Sequence, residues 1–469
     1  MQVDEQAVIV DDRSAFDASV PVLVIGGGAC GLTAALAARD AGSEVLVLER
    51  DATPSGSTAL SSGFIPAPAT RFQRALGVED SPELLAADMR RKNHDGADES
   101  VLTTVCREVG PALEWLADRH GIPFHVLEGF LYPGHSVPRM HAVPEKTGAG
   151  LIGRLLQAAG NAGVDLMTEA RVTTLVAGTD GRVRGVLVAR PDGSVESMGC
   201  GSLVLACNGY GGKRELVERH IPGIASGVYA GHVGNQGDAL RWGEALGARA
   251  MDLGAYQGHG SWATPHNILI TWALMMEGGI QVNANGERFW NEHEGYSEAA
   301  VHVLAQPGGV AWCVYDERLH QLGLGFPDYL QARDAGAVRS AADAEGLARL
   351  TGLPSAALAA TLAHCRELAG GGKADAFGRD FAARPALAGT LYAIKVTGAL
   401  FHTQGGLEID AQARVLHRDT HRPLPGLYAG GGAARGLSGA EVWGYLSGNG
   451  LLSAVALGRI AGRSAAQNH

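Results

Sequence analysis

Residues 20–49 read VPVLVIGGGACGLTAALAARDAGSEVLVLE, which is the pattern of a buried strand, a glycine turn, a helix and a second strand. Gly26, Gly28 and Gly31 occupy the three glycine positions of G-x-G-x-x-G, which serve a tight turn, close backbone approach to a pyrophosphate, and close helix–strand packing. Glu49 ends the second strand, where a carboxylate accepts hydrogen bonds from ribose hydroxyls. The pattern predicts a Rossmann-like α/β unit that binds a dinucleotide.

Composition narrows the class of protein. A chain of 469 residues, 46% hydrophobic and 19% charged, exceeds the size of a single core and predicts two domains or one domain with an insertion. Its 67 glycines are about twice ordinary usage and form clusters, which favours close backbone approach to an extended ligand. The net charge of −11 argues against nucleic acid as a partner.

Targeting and metal signals are missing from the sequence. No signal peptide and no long apolar run is visible, so we expect a soluble, cytoplasmic protein without an integral membrane segment. The six cysteines form no C-x-x-C pair, which argues against a zinc ribbon, an iron–sulfur cluster or c-type haem. We expect no metal site.

The G-x-G-x-x-G motif with Glu49 does not distinguish NAD from FAD as the ligand. The segment that follows it does not resemble the second half of an NAD-binding domain. ATPSGSTALSSGFIPAPAT (52–70) is small and rich in hydroxyls, and in this it resembles the flavoprotein family of fumarate reductase, succinate dehydrogenase and ketosteroid dehydrogenase. Further blocks fit that family in order, including SLVLACNGYGG (202–212), GNQGDALRWGEALGARA (234–250) and a glycine-rich C-terminal block (423–462). The resemblance implies FAD, held by the fingerprint residues and by Ser57, Thr58, Ser61, Ser62, Gly63, Val172, Asn208, Gly209, Asp238, Gly431, Gly432, Gly448, Leu451 and Leu452.

Two departures from that family concern the flavin. Ser57 stands where succinate dehydrogenases carry a histidine bonded to the flavin, so we expect non-covalent FAD. Residues 430–432 are three glycines where many relatives have A-G-E, so the carboxylate often used on the ribityl chain is missing.

The resemblance also implies a domain plan. We expect a Rossmann-like FAD-binding domain at 20–245 and 391–465, with an α+β capping domain inserted at 246–390. A cap that closes over the flavin excludes water and completes the substrate pocket. We expect disorder only in the first 15 or so residues and in the tail after Arg463.

The substrate residues divide the family into two chemistries. Fumarate reductases hold a dicarboxylate with histidines and arginines, and here His259 and His402 match family histidines, while Phe401 replaces another. The proton-donating arginine that follows the cap motif is replaced by Tyr296, and the carboxylate-clamping arginine by Val442. A dicarboxylate would lose its acid and its bidentate anchor.

Ketosteroid dehydrogenases use tyrosines instead. Tyr296 matches their proton-abstracting tyrosine, and Tyr445 matches a tyrosine that binds the substrate ketone. Asn449 stands, in a gapless comparison, where that group uses a backbone N–H as the second oxyanion donor. The resemblance implies that a base removes the α-proton, that the β-carbon loses hydride to FAD, and that an α,β-unsaturated ketone forms from a steroid or a smaller cyclic ketone.

Alternatives remain open at this point. Tyr296 and Tyr445 could pack without catalysing, and Tyr132 or Tyr256 could supply a third catalytic tyrosine. Arg139 and His141 in PRMH either contact substrate or stabilise their loop. The protein could also be an enoate reductase that depends on His259 and His402, or a flavin-binding subunit without turnover; in each case the electron partner is external.

Overall fold

The computed structural model describes residues 6–371 and 373–467. Its strands, in chain order, are β1 Val8–Val10, β2 Ala18–Ile25, β3 Val45–Leu48, β4 Ile65–Pro66, β5 His125–Val126, β6 Met140–Ala142, β7 Asp165–Met167, β8 Arg171–Ala177, β9 Val183–Ala189, β10 Val195–Leu205, β11 Val228–Tyr229, β12 Ala250–Met251, β13 Tyr256–Ala263, β14 Ile268–Leu269, β15 Ile280–Val282, β16 Val310–Asp316, β17 Arg339–Ala341, β18 Leu391–Thr403, β19 Gly406–Leu407, β20 Arg414–Leu416 and β21 Pro423–Ala429.

The helices have the lengths common in globular domains. They are α1 Ala29–Asp40, α2 Gly56–Leu60, α3 Arg71–Arg74, α4 Pro82–Asn93, α5 Glu99–His120, α6 Gly148–Asn161, α7 Arg214–His220, α8 Asp238–Ala245, α9 Ala273–Met276, α10 Tyr296–Leu304, α11 Glu317–Gly323, α12 Pro327–Asp334, α13 Ala344–Thr351, α14 Ser355–Ala369 and α15 Asn449–Gln467. Within the described ranges, none of them combines the length and the apolar character that a membrane span requires.

The first sheet carries the predicted dinucleotide unit. Its described strands run in the order β1-β8-β9-β10-β2-β3-β7, and β20 and β21 join it through β10. Strands β10, β2, β3 and β7 are parallel neighbours. Helices α1 and α15 pack against each other so closely that a Cβ at Gly462 would lie 2.0 Å from the carbonyl oxygen of Ala34. The strand–turn–helix–strand prediction for residues 20–49 is confirmed.

The second sheet is separate and mainly antiparallel. Its described strands run in the order β14-β13-β18-β16-β15, with β11 and β17 also paired to β18. A second apolar core surrounds it and includes Trp272, Tyr296 and Tyr445. The predicted fold class, an α/β dinucleotide domain with an added α+β domain, is confirmed. The boundaries at 245 and 390 stay predictions; β18, which begins at Leu391, pairs entirely within this second sheet.

The prediction that both termini lack regular structure is wrong where the structure describes them. Strand β1 pairs in parallel with β8, because the short apolar run at 8–10 extends the sheet by one edge strand. Helix α15 continues past Arg463 to Gln467, since Ala465 is buried in the core. The first five and last two residues lie outside the described ranges.

Candidate functional site

A cleft with a volume of about 800 Å³ extends from the glycine turn after β2 to the second sheet. One end is lined by the glycine turn and by Glu49, and the other by Tyr296 and Tyr445. Its size is that of an ordinary ligand-binding cavity. The two ends differ in chemistry, because glycines and a carboxylate line one and tyrosines line the other.

Glycine is required at the turn because the backbone there has no room for a side chain. Gly26 has a φ of +109°, and a Cβ on it would lie 2.5 Å from the carbonyl oxygen of Ala206. A Cβ on Gly31 would lie 1.8 Å from the carbonyl oxygen of Gly26. The Glu49 carboxylate accepts the N–H of Gly27 at 2.8 Å and that of Asp51 at 2.9 Å, which fixes it beside the turn. This cradle fits the pyrophosphate and ribose of a dinucleotide.

The hydroxyl-rich segment lies along the same cleft. Thr58 accepts the N–H of Ala29, the first residue of α1, at 3.0 Å. The Ser57 hydroxyl accepts the side-chain amides of Asn208 at 2.7 Å and Asn235 at 3.1 Å. Ser57 is thus a hydrogen-bonded hydroxyl in this wall, which fits FAD held without a covalent bond. Asn235 was missed from the sequence, although it lies in the G-N-Q-G turn before α8.

Most of the predicted cofactor residues line this cleft, and three do not. Those that line it are Gly26, Gly28, Glu49, Ser57, Thr58, Ser61, Ser62, Gly63, Val172, Asn208, Asp238, Gly431, Gly432, Gly448 and Leu451. Gly31, Gly209 and Leu452 stand behind the wall. A Cβ on Gly209 would lie 2.0 Å from the Thr403 hydroxyl, and Leu452 is fully buried, so these residues support the wall instead of lining it.

The other end of the cleft brings four of the five predicted catalytic residues together. Tyr296, the first residue of α10, stacks on the ring of His259 from β13, with centroids 4.6 Å apart. Tyr445 lies 6.1 Å from Tyr296 and 5.9 Å from His402 of β18, measured between ring centroids. Tyr296, Tyr445 and His259 are buried, and all four side chains line the cleft.

The fifth residue, Asn449, lies outside this cluster. Its backbone N–H donates to the carbonyl oxygen of Leu446 at 3.0 Å, so this N–H closes the turn that precedes α15. Asn449 is fully buried and is not part of the cleft wall. Gly448 and Gly450 line the cleft instead, and both backbone N–H groups act to lower the pKa of Tyr445.

A serine that the sequence did not suggest belongs to this cluster. Burial raises the pKa of Tyr296 to about 12, while the hydroxyls of Ser447 and Tyr445 and the N–H of Gly448 act against that rise. The pKa of Tyr445 is raised further, well above its ordinary value, chiefly by burial. Ser447 lies two residues after Tyr445. It comes close to Tyr296 only in the folded structure, so its position in the sequence does not indicate this contact.

The two histidines are neutral near physiological pH. Burial lowers the pKa of His259 to about 3 and that of His402 to about 4. The Gln404 side-chain nitrogen lies 3.1 Å from Nδ1 of His402, and the Ser438 hydroxyl donates to Oε1 of Gln404 at 3.1 Å. These histidines can hydrogen-bond a neutral substrate, but they do not supply positive charge to an anion.

Cationic and apolar surfaces are separated along the cleft. Its cationic lining residues are Arg50, Lys146 and Arg171. Arg50 and Arg171 adjoin Glu49 and Val172 in sequence, and Lys146 precedes α6, whose Gly148 N–H donates to the carbonyl oxygen of Ser61. All three therefore lie toward the dinucleotide end.

The wall around Tyr296 is aromatic. It is formed by Phe64, Phe130, Tyr132, Trp272, Phe326 and Phe401. Tyr132 lines the cleft, whereas Tyr256 does not, so only Tyr132 is available as a third tyrosine. Asp328, the second residue of α12, also lines this region, and burial raises the pKa of its carboxyl. In the described part of the chain Asp328 has no hydrogen-bonded or ion-paired partner.

Comparisons with known proteins agree with this site. The profile of the family described as FAD binding domain matches residues 21–451. The chain is 30% identical over 452 residues to the probable fumarate reductase Ifc3 of Shewanella frigidimarina (strain NCIMB 400), covering 95% of this chain and 75% of that protein. It is also 30% identical over 452 residues to NADH:fumarate oxidoreductase of Klebsiella pneumoniae (strain 342), covering 96% of this chain but only 48% of that longer protein.

A solved structure resembles the chain over nearly its whole length. The 3-ketosteroid-Δ4-(5α)-dehydrogenase from Rhodococcus jostii RHA1, in complex with 4-androstene-3,17-dione, superposes with a TM-score of 0.77 at 28% identity and covers 97% of this chain and 98% of that one. The cradle at the glycine turn fits FAD, and the profile match spans more than half of the chain. The chain therefore belongs to the FAD binding domain family and is an FAD-dependent oxidoreductase of the group that contains fumarate reductases and ketosteroid dehydrogenases.

Proposed function

We propose that the protein desaturates a neutral cyclic ketone next to its carbonyl group. The α-carbon loses a proton to Tyr296, the β-carbon loses a hydride, and a carbon–carbon double bond forms between them. The observation that carries the proposal is a buried tyrosine pair, with Ser447 and Gly448 beside it, in an aromatic cavity whose cationic residues all lie at the other end.

The two tyrosines differ in proton affinity, and the difference assigns their roles. Burial raises the pKa of Tyr296, but it stays the lower of the two because the neighbouring Ser447, Tyr445 and Gly448 act against the rise. These neighbours stabilise the phenolate, so Tyr296 is the group that removes the proton. Tyr445 stays protonated over the whole working range and acts as a hydrogen-bond donor. Burial raises both pKa values, and it raises that of Tyr445 further.

The substrate carbonyl would accept two hydrogen bonds. Tyr445 supplies the O–H, and the backbone N–H of Gly450, which lies beside that hydroxyl, supplies the second donor in place of Asn449. Donors fixed at the oxygen stabilise the enolate that forms as the α-proton leaves. The ring centroids of Tyr296 and Tyr445 lie 6.1 Å apart. One substrate can therefore place its carbonyl at Tyr445 and its α-carbon at Tyr296.

Bound FAD would supply the hydride acceptor for this reaction, with an external acceptor for the electrons. The residues that would hold it are those of the glycine turn, Glu49, the 56–63 segment and Asn208. Closure of the second domain over the aromatic end would exclude water from the reacting carbons. A cytoplasmic location stays a prediction from the sequence.

Charge and shape favour a neutral ketone over a dicarboxylate. The position of the clamping arginine is occupied by Val442, which is buried, and Asp328 places an acid in the aromatic wall. A dicarboxylate would meet repulsion there without a bidentate partner. The steroid dehydrogenase, whose bound ligand is a cyclic ketone and whose chain is covered over 98% of its length, supports the same choice.

A second candidate function runs the chemistry in reverse. The fumarate reductases among the relatives, together with His259 and His402 in the cleft, favour reduction of an unsaturated acid by an external donor. The two functions are separated by steady-state rates measured with cyclic ketones plus a dye acceptor, and with fumarate or related enoates plus a reduced dye. We expect turnover in the first assay and little in the second; the opposite result would support the reductase.

A further inference from the structure

A buried ionic cluster that the proposed reaction does not use lies near the turn at residues 446–448, which we call the catalytic turn. Arg139 of the PRMH segment is 1% exposed and makes a bidentate pair with Asp80, at 2.9 and 3.0 Å. Its Nη1 also donates to Asp88 at 2.5 Å. The two carboxylates hold this buried guanidinium in position. Moving it away from either partner would be costly, because a buried charge would be left unpaired.

His135 connects this cluster to the catalytic turn. Its Nδ1 lies 3.4 Å from Nη1 of Arg139, and its Nε2 lies 2.9 Å from the carbonyl oxygen of Ser447. A guanidinium can only donate, so Nδ1 is the acceptor and the ring proton resides on Nε2. His135 is 8% exposed, and burial together with Arg139 lowers its pKa to about 4, in agreement with a neutral ring. The Nε2–H therefore donates to the Ser447 carbonyl.

The segment around His135 also packs on the turn by shape. The Ser447 hydroxyl donates to the carbonyl oxygen of Pro133 at 3.5 Å. Gly134 has a φ of +85°, and a Cβ on it would lie 2.5 Å from the side chain of Leu446. Residues 133–135 thus contact Leu446 and Ser447.

One peptide group links His135 to the base. The carbonyl of Ser447 and the N–H of Gly448 belong to the same peptide bond, and in a trans peptide these two groups point in opposite directions. His135 holds the carbonyl on one side, and Gly448, which lines the cleft together with Tyr296, carries the N–H on the other. Rotation of this peptide would withdraw a donor from Tyr296.

We propose that His135 is a positioning residue for the proposed reaction: anchored by Arg139, its Nε2–H fixes the Ser447–Gly448 peptide so that the Gly448 N–H stays directed at Tyr296. The inference rests on the proposed function, in which Tyr296 is the base. It assigns the PRMH segment, whose Arg139 does not line the cleft, a role in the orientation of the catalytic turn.

The test compares His135→Ala with two matched variants. His135→Gln keeps an N–H donor at a similar reach. His141→Ala removes a second buried, neutral histidine from the same segment; His141 bonds Thr70 at 2.7 Å and the Arg139 carbonyl at 2.9 Å, and it does not line the cleft. Each holoenzyme is tested for flavin content, for the rate of ketone oxidation as a function of pH, and for the NMR signal of Tyr296 labelled at Cζ, assigned by its loss in Tyr296→Phe.

Loss of one hydrogen bond to a charged group predicts a rate about ten- to a hundredfold lower at neutral pH in His135→Ala. Flavin content should be unchanged, the rise of the rate with pH should move to higher pH, and the Tyr296 signal should shift. His135→Gln should restore most of the rate and the signal, and His141→Ala should match the wild type. A wild-type Tyr296 signal in His135→Ala would overturn the inference. A shifted signal in an enzyme that oxidises no ketone would instead refute the proposed function alone.

Discussion

Replacement of Tyr296 by phenylalanine removes one oxygen atom from the centre of the proposed site. The ring should stay in place, because it stacks on His259 with centroids 4.6 Å apart and is buried in the second core. The oxygen that receives the α-proton is lost, and with it the polar group to which Ser447, Tyr445 and Gly448 are neighbours. General base catalysis contributes about 10²- to 10⁴-fold, so the activation barrier should rise by about 3–5 kcal/mol.

The assay is anaerobic single-turnover reduction of the enzyme-bound flavin by a ketone substrate. Tyr296→Phe should bind FAD normally and reduce it at least a hundredfold more slowly than the wild type. Stability should fall by about 1–3 kcal/mol, because buried donors lose their acceptor. Tyr315→Phe is a matched control: Tyr315 is a fully buried tyrosine of β16, is hydrogen-bonded to Tyr329 at 2.8 Å and does not line the cleft. A Tyr296→Phe rate within tenfold of the wild type would refute the assignment of the base.

Three further predictions concern the donor, the cradle and the buried histidines. Tyr445→Phe should lower kcat/KM for the ketone by about 10²- to 10³-fold through loss of a carbonyl donor, measured in steady state; an unchanged value would contradict its role. Gly31→Ala should lose FAD and melt earlier, since its Cβ would lie 1.8 Å from the Gly26 carbonyl oxygen; a full flavin content after purification would be the opposing result. Burial lowers the pKa of four histidines from the ordinary 6.5: to about 3 for His259, and to about 4 for His135, His141 and His402. Between pH 6.5 and these folded pKa values, the unfolded chain therefore binds more protons than the folded one. The free energy of unfolding should therefore fall as pH falls from 6.5 to 4, by up to about 3 kcal/mol per histidine, and urea titrations that show flat stability over this range would be inconsistent with buried neutral rings.

The cofactor domain could be predicted from the sequence because its constraints are local. Gly26 and Gly31 are required by backbone contacts within one strand–turn–helix unit, and Glu49 ends the next strand of the same unit. Such contacts recur at fixed spacing, so residue order is enough to identify them. The cluster of His259, Tyr296, His402 and Tyr445 was predicted through the family resemblance, since these residues lie on elements far apart in the chain.

The residues that were missed depend on geometry that the sequence does not express. The oxyanion donor was assigned to Asn449 from residue order, which does not show that the Asn449 N–H bonds to the Leu446 carbonyl. Ser447 and Asn235 act through contacts with side chains more than 100 positions away. His135 lies in a loop without a motif and acquires its partner only when the loop packs on the C-terminal turn.

The most direct test of the central claim is anaerobic mixing of the purified holoenzyme with a panel of saturated cyclic ketones, monocyclic and steroidal, while the visible absorbance of oxidised flavin is recorded. We predict that at least one ketone bleaches the flavin and yields the α,β-unsaturated product. Absence of bleaching by every ketone, together with reoxidation of chemically reduced flavin by fumarate or another enoate, would contradict the account and identify a reductase.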